Sequence, residues 1–160
     1  MARWQDVAQE APEFAALARD FFDARMHKTI ATVRRDGSPR ISGIEATVFE
    51  GDLWFGSMWQ ARKALDLRRA PAFALHSGST DPPAWTGDAK VAGRAEEIAD
   101  ETRFATVMAG IGGGAQPPGA AHLFRADLSE VVVVRVADSG DHLVIEWWRP
   151  GRGVERTERR

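Results

Sequence analysis

Arg62 and Lys63, within "GSMWQARKALDLRRAP" (56–71), are adjacent cations whose position along the chain could do chemistry. The pattern predicts a helix: Ser57 and Gln60 form a Ser-x-x-Gln capping box at its start, and Pro71 marks its far end. Arg68 and Arg69 near that end suit the helix dipole. Arg62 and Lys63 sit in the first half, and helical side chains lean back towards the N-terminus. Two cations therefore approach the positive pole. Asp66 is one available partner, four residues after Arg62 and three after Lys63, although an exposed pair of this kind contributes only about 0.3–0.5 kcal/mol. Open water is a second, and a bound phosphate a third. Backbone N–H groups and the dipole favour an anion at a helix start; arginine adds bidentate donors and lysine a point charge.

Other chemistries find less support. The chain has no cysteine, which excludes disulfides, thiolate nucleophiles and Cys-based metal sites. His27, His76, His122 and His142 are scattered without metal-ligand spacing and read as strand-end or surface residues, so no metal is expected. No Gly-x-Ser-x-Gly elbow raises a serine to nucleophile. "GIGGGA" (110–115) contains Gly-x-Gly-x-x-Ala, but that fingerprint works only between a strand and the helix it opens. Here it follows a helical segment and leads into "QPPG", so it reads as a loop near a pocket.

These residues need a scaffold, and 160 residues with a net charge of −2 suit one domain spanning 1–160 with a substantial core. The near-neutral balance gives no bulk attraction to nucleic acid. No apolar run reaches the ~18 residues of a membrane span, and the charged N-terminus does not resemble a signal peptide; a cytoplasmic protein is the expectation. An N-terminal helical segment (1–26) carries "APEFAALARDFFDARM", with Phe14, Leu17, Phe21 and Phe22 near helical spacing and Pro12 suited to the first turn. "KTIATVRR", "RISGIEATVFE", "LWFGS", "AFALHS", "DAKVAGRAEEI", "HLFRADL", "EVVVVRV" and "HLVIEWW" read as strands, with turns at "DGSP" and "EGD" and a helix at "DETRFATVMAG". About seven strands with short turns and single helices suggest a barrel rather than βαβ units. The final "ERTERR" reads as part of a solvated tail over 150–160.

Trp147 and Trp148 are adjacent on one strand, so one faces the core and the other the opposite side. The second, beside Arg149, is either a dimer contact or a stacking wall for a flat ligand.

Taken in order, the run from "KTIATVRR" through "RISGIEATVFEGDLWFGSMWQARKALDLRRAPAFALHS", then "DAKVAGRAEEI" and "EWWRPGRGVERTERR", resembles the pyridoxamine 5'-phosphate oxidase-like split β-barrel proteins over 27–160. The resemblance implies a mainly β, homodimeric split barrel that binds FMN or, alternatively, an 8-hydroxy-5-deazaflavin coenzyme. Arg62 and Lys63 fall on the family's phosphate-holding pair, with Ser57 at the helix start. Arg40 falls on the arginine opening the second strand, with Ser42 beside it. Trp148 matches a tryptophan that reaches the flavin from the neighbouring subunit, and Arg156 and Arg160 match two arginines beyond it.

The departures are equally specific. Glu45 replaces a lysine, Asp88 stands nearest a glutamine that contacts the flavin ring, and Glu158 replaces a histidine. The oxidase's Tyr, Arg and Ser for substrate phosphate have no counterpart in "DETRFATVMAGIGGG". The resemblance therefore implies a flavin- or deazaflavin-dependent oxidoreductase acting on a small molecule other than pyridoxamine 5'-phosphate, or a non-catalytic flavin-binding or stress-related protein. His76 and Trp59 are the candidates for substrate contact, and no catalytic acid or base is assigned.

Overall fold

The computed structural model describes residues 2–114, 116–117 and 119–160. Two N-terminal helices, α1 (Trp4–Glu10) and α2 (Pro12–Asp23), precede the sheet. Pro12 opens α2, and Phe14, Ala15, Ala18 and Phe22 form its buried face. Then come β1 (His27–Val33), β2 (Pro39–Phe49), β3 (Asp52–Met58), α3 (Arg62–Arg69), β4 (Ala72–His76), β5 (Gly87–Glu97), α4 (Glu101–Gly110), β6 (Ala121–Val136), β7 (Leu143–Arg149) and β8 (Gly153–Arg159).

The strands run in the order β3-β2-β1-β4-β5-β6-β7-β8, and β3 also pairs with β6. That second pairing closes β1 to β6 into a six-stranded antiparallel barrel, leaving β7 and β8 as a flap. Closure hides the two edges an open sheet would expose. Alternation points Ile30, Leu53, Phe55, Leu75, Val91, Phe124, Val131 and Val133 into one continuous core. Burying each such side chain contributes about 1.5–3 kcal/mol.

The split barrel expected from the sequence is present, with two revisions to its strand count. "HLFRADL" and "EVVVVRV" are halves of the single strand β6, because a bulge at Ser129 absorbs the register change: Ala92 faces Glu130 while Gly93 faces Leu128. A Cβ at Gly93 would stand 2.1 Å from the Asp127 carbonyl oxygen, so glycine is required there. The expected tail is strand β8, paired with β7 from Gly153 opposite Arg149 to Arg159 opposite Leu143.

Candidate cofactor site

β3 continues through Ser57 to Met58 because both pair with β6, Ser57 opposite His122. Ser57 is therefore a buried strand residue, not a helix cap, and its Oγ donates to the Met58 carbonyl at 3.4 Å. The predicted capping box does not form: Ala61 is the N-cap of α3 and has no side-chain cap. Gln60 instead takes a left-handed conformation (φ 59°) in the turn between β3 and α3. The turn is closed by the Ala61 N–H donating to the Met58 carbonyl at 3.1 Å. Arg62 and Lys63 are consequently the first two residues of α3, closer to its positive pole than the sequence suggested.

Asp66 does not offset them. Its buried carboxylate accepts from Arg40 Nε at 2.7 Å, from Thr32 Oγ1 at 3.0 Å and from Arg69 at 3.3 Å. Burial opposes its ionisation, but the hydrogen bonds from Arg40, Thr32 and Arg69 prevail and hold the carboxyl below the usual range. Among the described residues no carboxylate pairs with Arg62 or Lys63. Arg62 is exposed. Lys63 is half-buried, and its Nζ donates to the Gly43 carbonyl at 2.6 Å. Desolvation lowers its pKa below the usual lysine value.

Lys63 borders a pocket of about 390 Å³. The outer face of β2 supplies Gly43, Glu45 and Thr47 to it, β3 supplies Trp54 and Ser57, and β6 supplies His122. Met108, Ile111, Gly112 and Gly113 close the side formed by the end of α4. The glycine run thus lies beside a pocket, as its sequence suggests, with Ala115 outside the described residues.

The other expected site residues do not gather there. Arg40 and Ser42 lie on the β2 face opposite Gly43 and Glu45, and Arg40 is committed to Asp66. His76 and Asp88 form a separate group on β4 and β5, 3.5 Å apart, with Lys90 at 4.0 Å from Asp88. Arg156 pairs with Glu158 on β8, and Arg160 follows that strand, exposed.

Trp148 requires a correction. It is fully buried in its own chain's core, opposite Val131, and its Nε1 donates to Glu10 at 2.9 Å. A side chain so enclosed can neither reach a flavin on a neighbouring subunit nor form a dimer contact. Strand alternation gives the outward position to Trp147.

His122 takes the strand-end position allowed for it, at the start of β6, but not a surface one. It is buried, its Nδ1 lies 2.6 Å from Glu97, and Trp59 stacks on its ring at 4.6 Å and 11°. Only the β3–β6 pairing brings it to the pocket, and no local sequence signal marks it.

Residues 14–137 match the family described as Pyridoxamine 5'-phosphate oxidase. The chain belongs to the pyridoxamine 5'-phosphate oxidase family. No curated protein sequence matches it. Among solved structures similar to this family member is a pyridoxamine 5'-phosphate oxidase-related, FMN-binding protein from Nostoc punctiforme. It is 12% identical with a TM-score of 0.66, over 92% of this chain and 95% of that one. PhzG from Burkholderia lata, in complex with tetrahydrophenazine-1-carboxylic acid, is 13% identical with a TM-score of 0.65, covering 97% and 91%. An F-420 reductase is 18% identical with a TM-score of 0.53, covering 71% and 94%. At these identities the likeness establishes the fold: a split barrel of the oxidase type. Among the described residues, no helix is long and apolar enough to cross a membrane.

Proposed function

We propose that this oxidase-family chain binds the phosphate of FMN at Lys63 and Arg62 and acts as a flavin-dependent oxidoreductase on a small molecule. One observation carries the reading: Lys63 is a half-buried ammonium at a helix start, bordering a pocket, with a carbonyl but no carboxylate against it. Such a cation is complementary to a phosphate monoester. The pocket volume lies within the usual range for a small ligand. Ser57, Gly43 and Thr47 supply polar wall beside Lys63, while Met108 and Ile111 supply an apolar side against which a flat ring can rest.

A flavin or deazaflavin ring, when bound, supplies hydride-transfer chemistry; the chain's own residues anchor the phosphate, shape the pocket and exclude water. We further propose a homodimer. Ile41, Ala31, Ala74 and Ala92 form a cross-strand row on the outside of the barrel, with Ile41 75% exposed. On β6 the row meets Glu130 opposite Ala92, and Val132, between Lys90 and Trp147, adds an apolar pair beside it. A second copy would cover this surface.

The test is a spectrum. Supernatant from the denatured purified protein should carry FMN absorbance, and reduction of the holoprotein by a nicotinamide donor separates an enzyme from a carrier. A colourless protein that binds neither FMN nor the deazaflavin at about micromolar concentration would overturn the cofactor reading.

A further inference from the structure

We propose that His122 is a pH-sensitive latch on the turn that presents Arg62 and Lys63, coupling its protonation to the grip of the site on phosphate; this rests on the phosphate reading above. The two ring nitrogens have different partners. Nδ1 lies 2.6 Å from Glu97 Oε1, and the backbone N–H of Gln60 donates to Nε2 at 3.2 Å. A carboxylate on one side and an N–H donor on the other are both satisfied by one form, the neutral imidazole with its proton on Nδ1.

The Gln60 N–H belongs to a residue with φ 59°, a left-handed conformation disfavoured for a side-chain-bearing residue. The histidine acceptor helps hold it there. Trp59 completes the arrangement, stacked on the imidazole at 4.6 Å and 47% exposed. Two residues after Gln60, α3 begins with the cations. The position of their backbone is therefore set by a turn whose Gln60 N–H is held by one imidazole lone pair.

A second proton occupies that lone pair. Nε2–H would then face Gln60 N–H, two donors 3.2 Å apart with no acceptor between them, and the turn has to move. The charged groups around the ring come from several elements. Glu97 on β5 lies against Nδ1 and also meets Arg68 on α3, 2.9 Å from its other oxygen. Lys63 from α3, Glu45 from β2 and His27 from β1 border the same pocket. Among the described residues, β3 and the end of α4 add neutral groups to the lining, Ser57, Met58, Met108 and Ile111, and Phe124 of β6 stacks on the imidazole.

If the latched turn binds phosphate and protonation of Nε2 opposes it, affinity must fall with pH. One linked proton weakens binding by at most about tenfold per pH unit. His122→Gln keeps an amide acceptor near the Nε2 position and cannot titrate. FMN binding to the apo-protein, followed by flavin fluorescence from about pH 8 to pH 5.5, should fall more steeply in the parent than in His122→Gln. The ionisation of the FMN phosphate itself, near pH 6, is common to both proteins and cancels. Each profile is read relative to that protein's own affinity at the upper pH, and His122→Phe, which retains the stack without the acceptor, should bind more weakly than the parent there.

A second readout needs no ligand. The part of tryptophan emission lost in Trp59→Phe should titrate in the parent and stay flat in His122→Gln. Parallel pH profiles in parent and His122→Gln, or a Trp59 signal that does not titrate, overturn the latch. Absence of FMN binding at the upper pH overturns the phosphate reading instead, and the Trp59 signal then decides the latch alone.

Discussion

Arg40 Nε lies 2.7 Å from the Asp66 carboxylate, joining β2 to the inner side of α3. Thr32 and Arg69 share that carboxylate, and none of its bonds goes to Arg62 or Lys63. One acidic residue anchors the helix to the barrel, while among the described residues no carboxylate pairs with the two cations that open it.

Asp66→Asn should therefore cost stability rather than cofactor affinity. Removing a buried charge that satisfies three donors should destabilise by about 2–3 kcal/mol, with exposure of Arg40 and Arg69 tempering the loss. Because the folded pKa is depressed, this contribution is present above the unfolded carboxylate value of about 3.9. It disappears as pH falls through the lower folded value. Urea unfolding at neutral and acidic pH should show the parent and the variant converging in acid; a neutral-pH difference below about 0.5 kcal/mol contradicts the anchor.

Lys63→Glu should do the opposite. Loss of a charge-assisted contact worth about 1.5–3 kcal/mol weakens FMN binding roughly 10- to 150-fold, and the new carboxylate adds repulsion. The apo-protein should melt within about 3 °C of the parent. Salt should weaken FMN binding and spare riboflavin, which lacks the phosphate. The lowered Lys63 pKa means its positive charge is lost earlier than usual as pH rises, so FMN affinity should begin to fall below the ordinary lysine value of about 10.4. Unchanged titrations with both FMN and the deazaflavin would make α3 a solvated surface.

The two adjacent tryptophans should separate fold from assembly. Trp148→Ala opens a core cavity and releases Glu10, so chemical denaturation should show a loss of about 3–5 kcal/mol. Trp147→Glu should leave the monomer's unfolding nearly unchanged while abolishing the dimer, by placing a charge on its apolar face. Light scattering reads the second outcome, and a parent protein that is monomeric at micromolar concentration with cofactor bound removes the dimer proposal.

Pyridoxamine 5'-phosphate should not be turned over. α4 offers the pocket Met108, and the residue after its end, Ile111, is also apolar. Its one arginine, Arg103, pairs with Glu50 at 2.8 Å and lies over the Trp54 ring. No phosphate-binding set remains on that helix. Peroxide formed from this substrate at about 1 per second or faster would refute the expectation.

Alternation and turn residues made most of the barrel legible: β1, β2, β4, β5 and α2 lie close to where "KTIATVRR", "RISGIEATVFE", "AFALHS", "DAKVAGRAEEI" and "APEFAALARDFFDARM" place them, the last running three residues past the end of α2 at Asp23. Local pattern misread places where long-range pairing dominates. Ser57 resembles a helix cap until its ladder with His122 commits it to β3. "ERTERR" resembles a solvated tail until β7 supplies hydrogen-bonding partners. Lys63 was legible as a cation needing a partner, whereas the role of His122 was not, because the groups its ring meets, Glu97, Gln60 and Trp59, lie far from it in sequence. Trp147 and Trp148 were legible as a pair with opposite faces, but only the register opposite Val131 decides which is inside.

The β3–β6 seam also sets when the site can exist during folding. Hairpins such as β1–β2 and β7–β8 close short loops, whereas Trp54 meets Arg125 only after β4, β5 and α4 have intervened. Pairings so distant along the chain carry a loop-closure cost and form slowly. Ser57 and His122 face each other across this seam, so the pocket wall is assembled only when the barrel closes. A bound ligand would then slow the opening of the finished barrel without hastening its formation, lengthening the protein's lifetime through the unfolding rate alone.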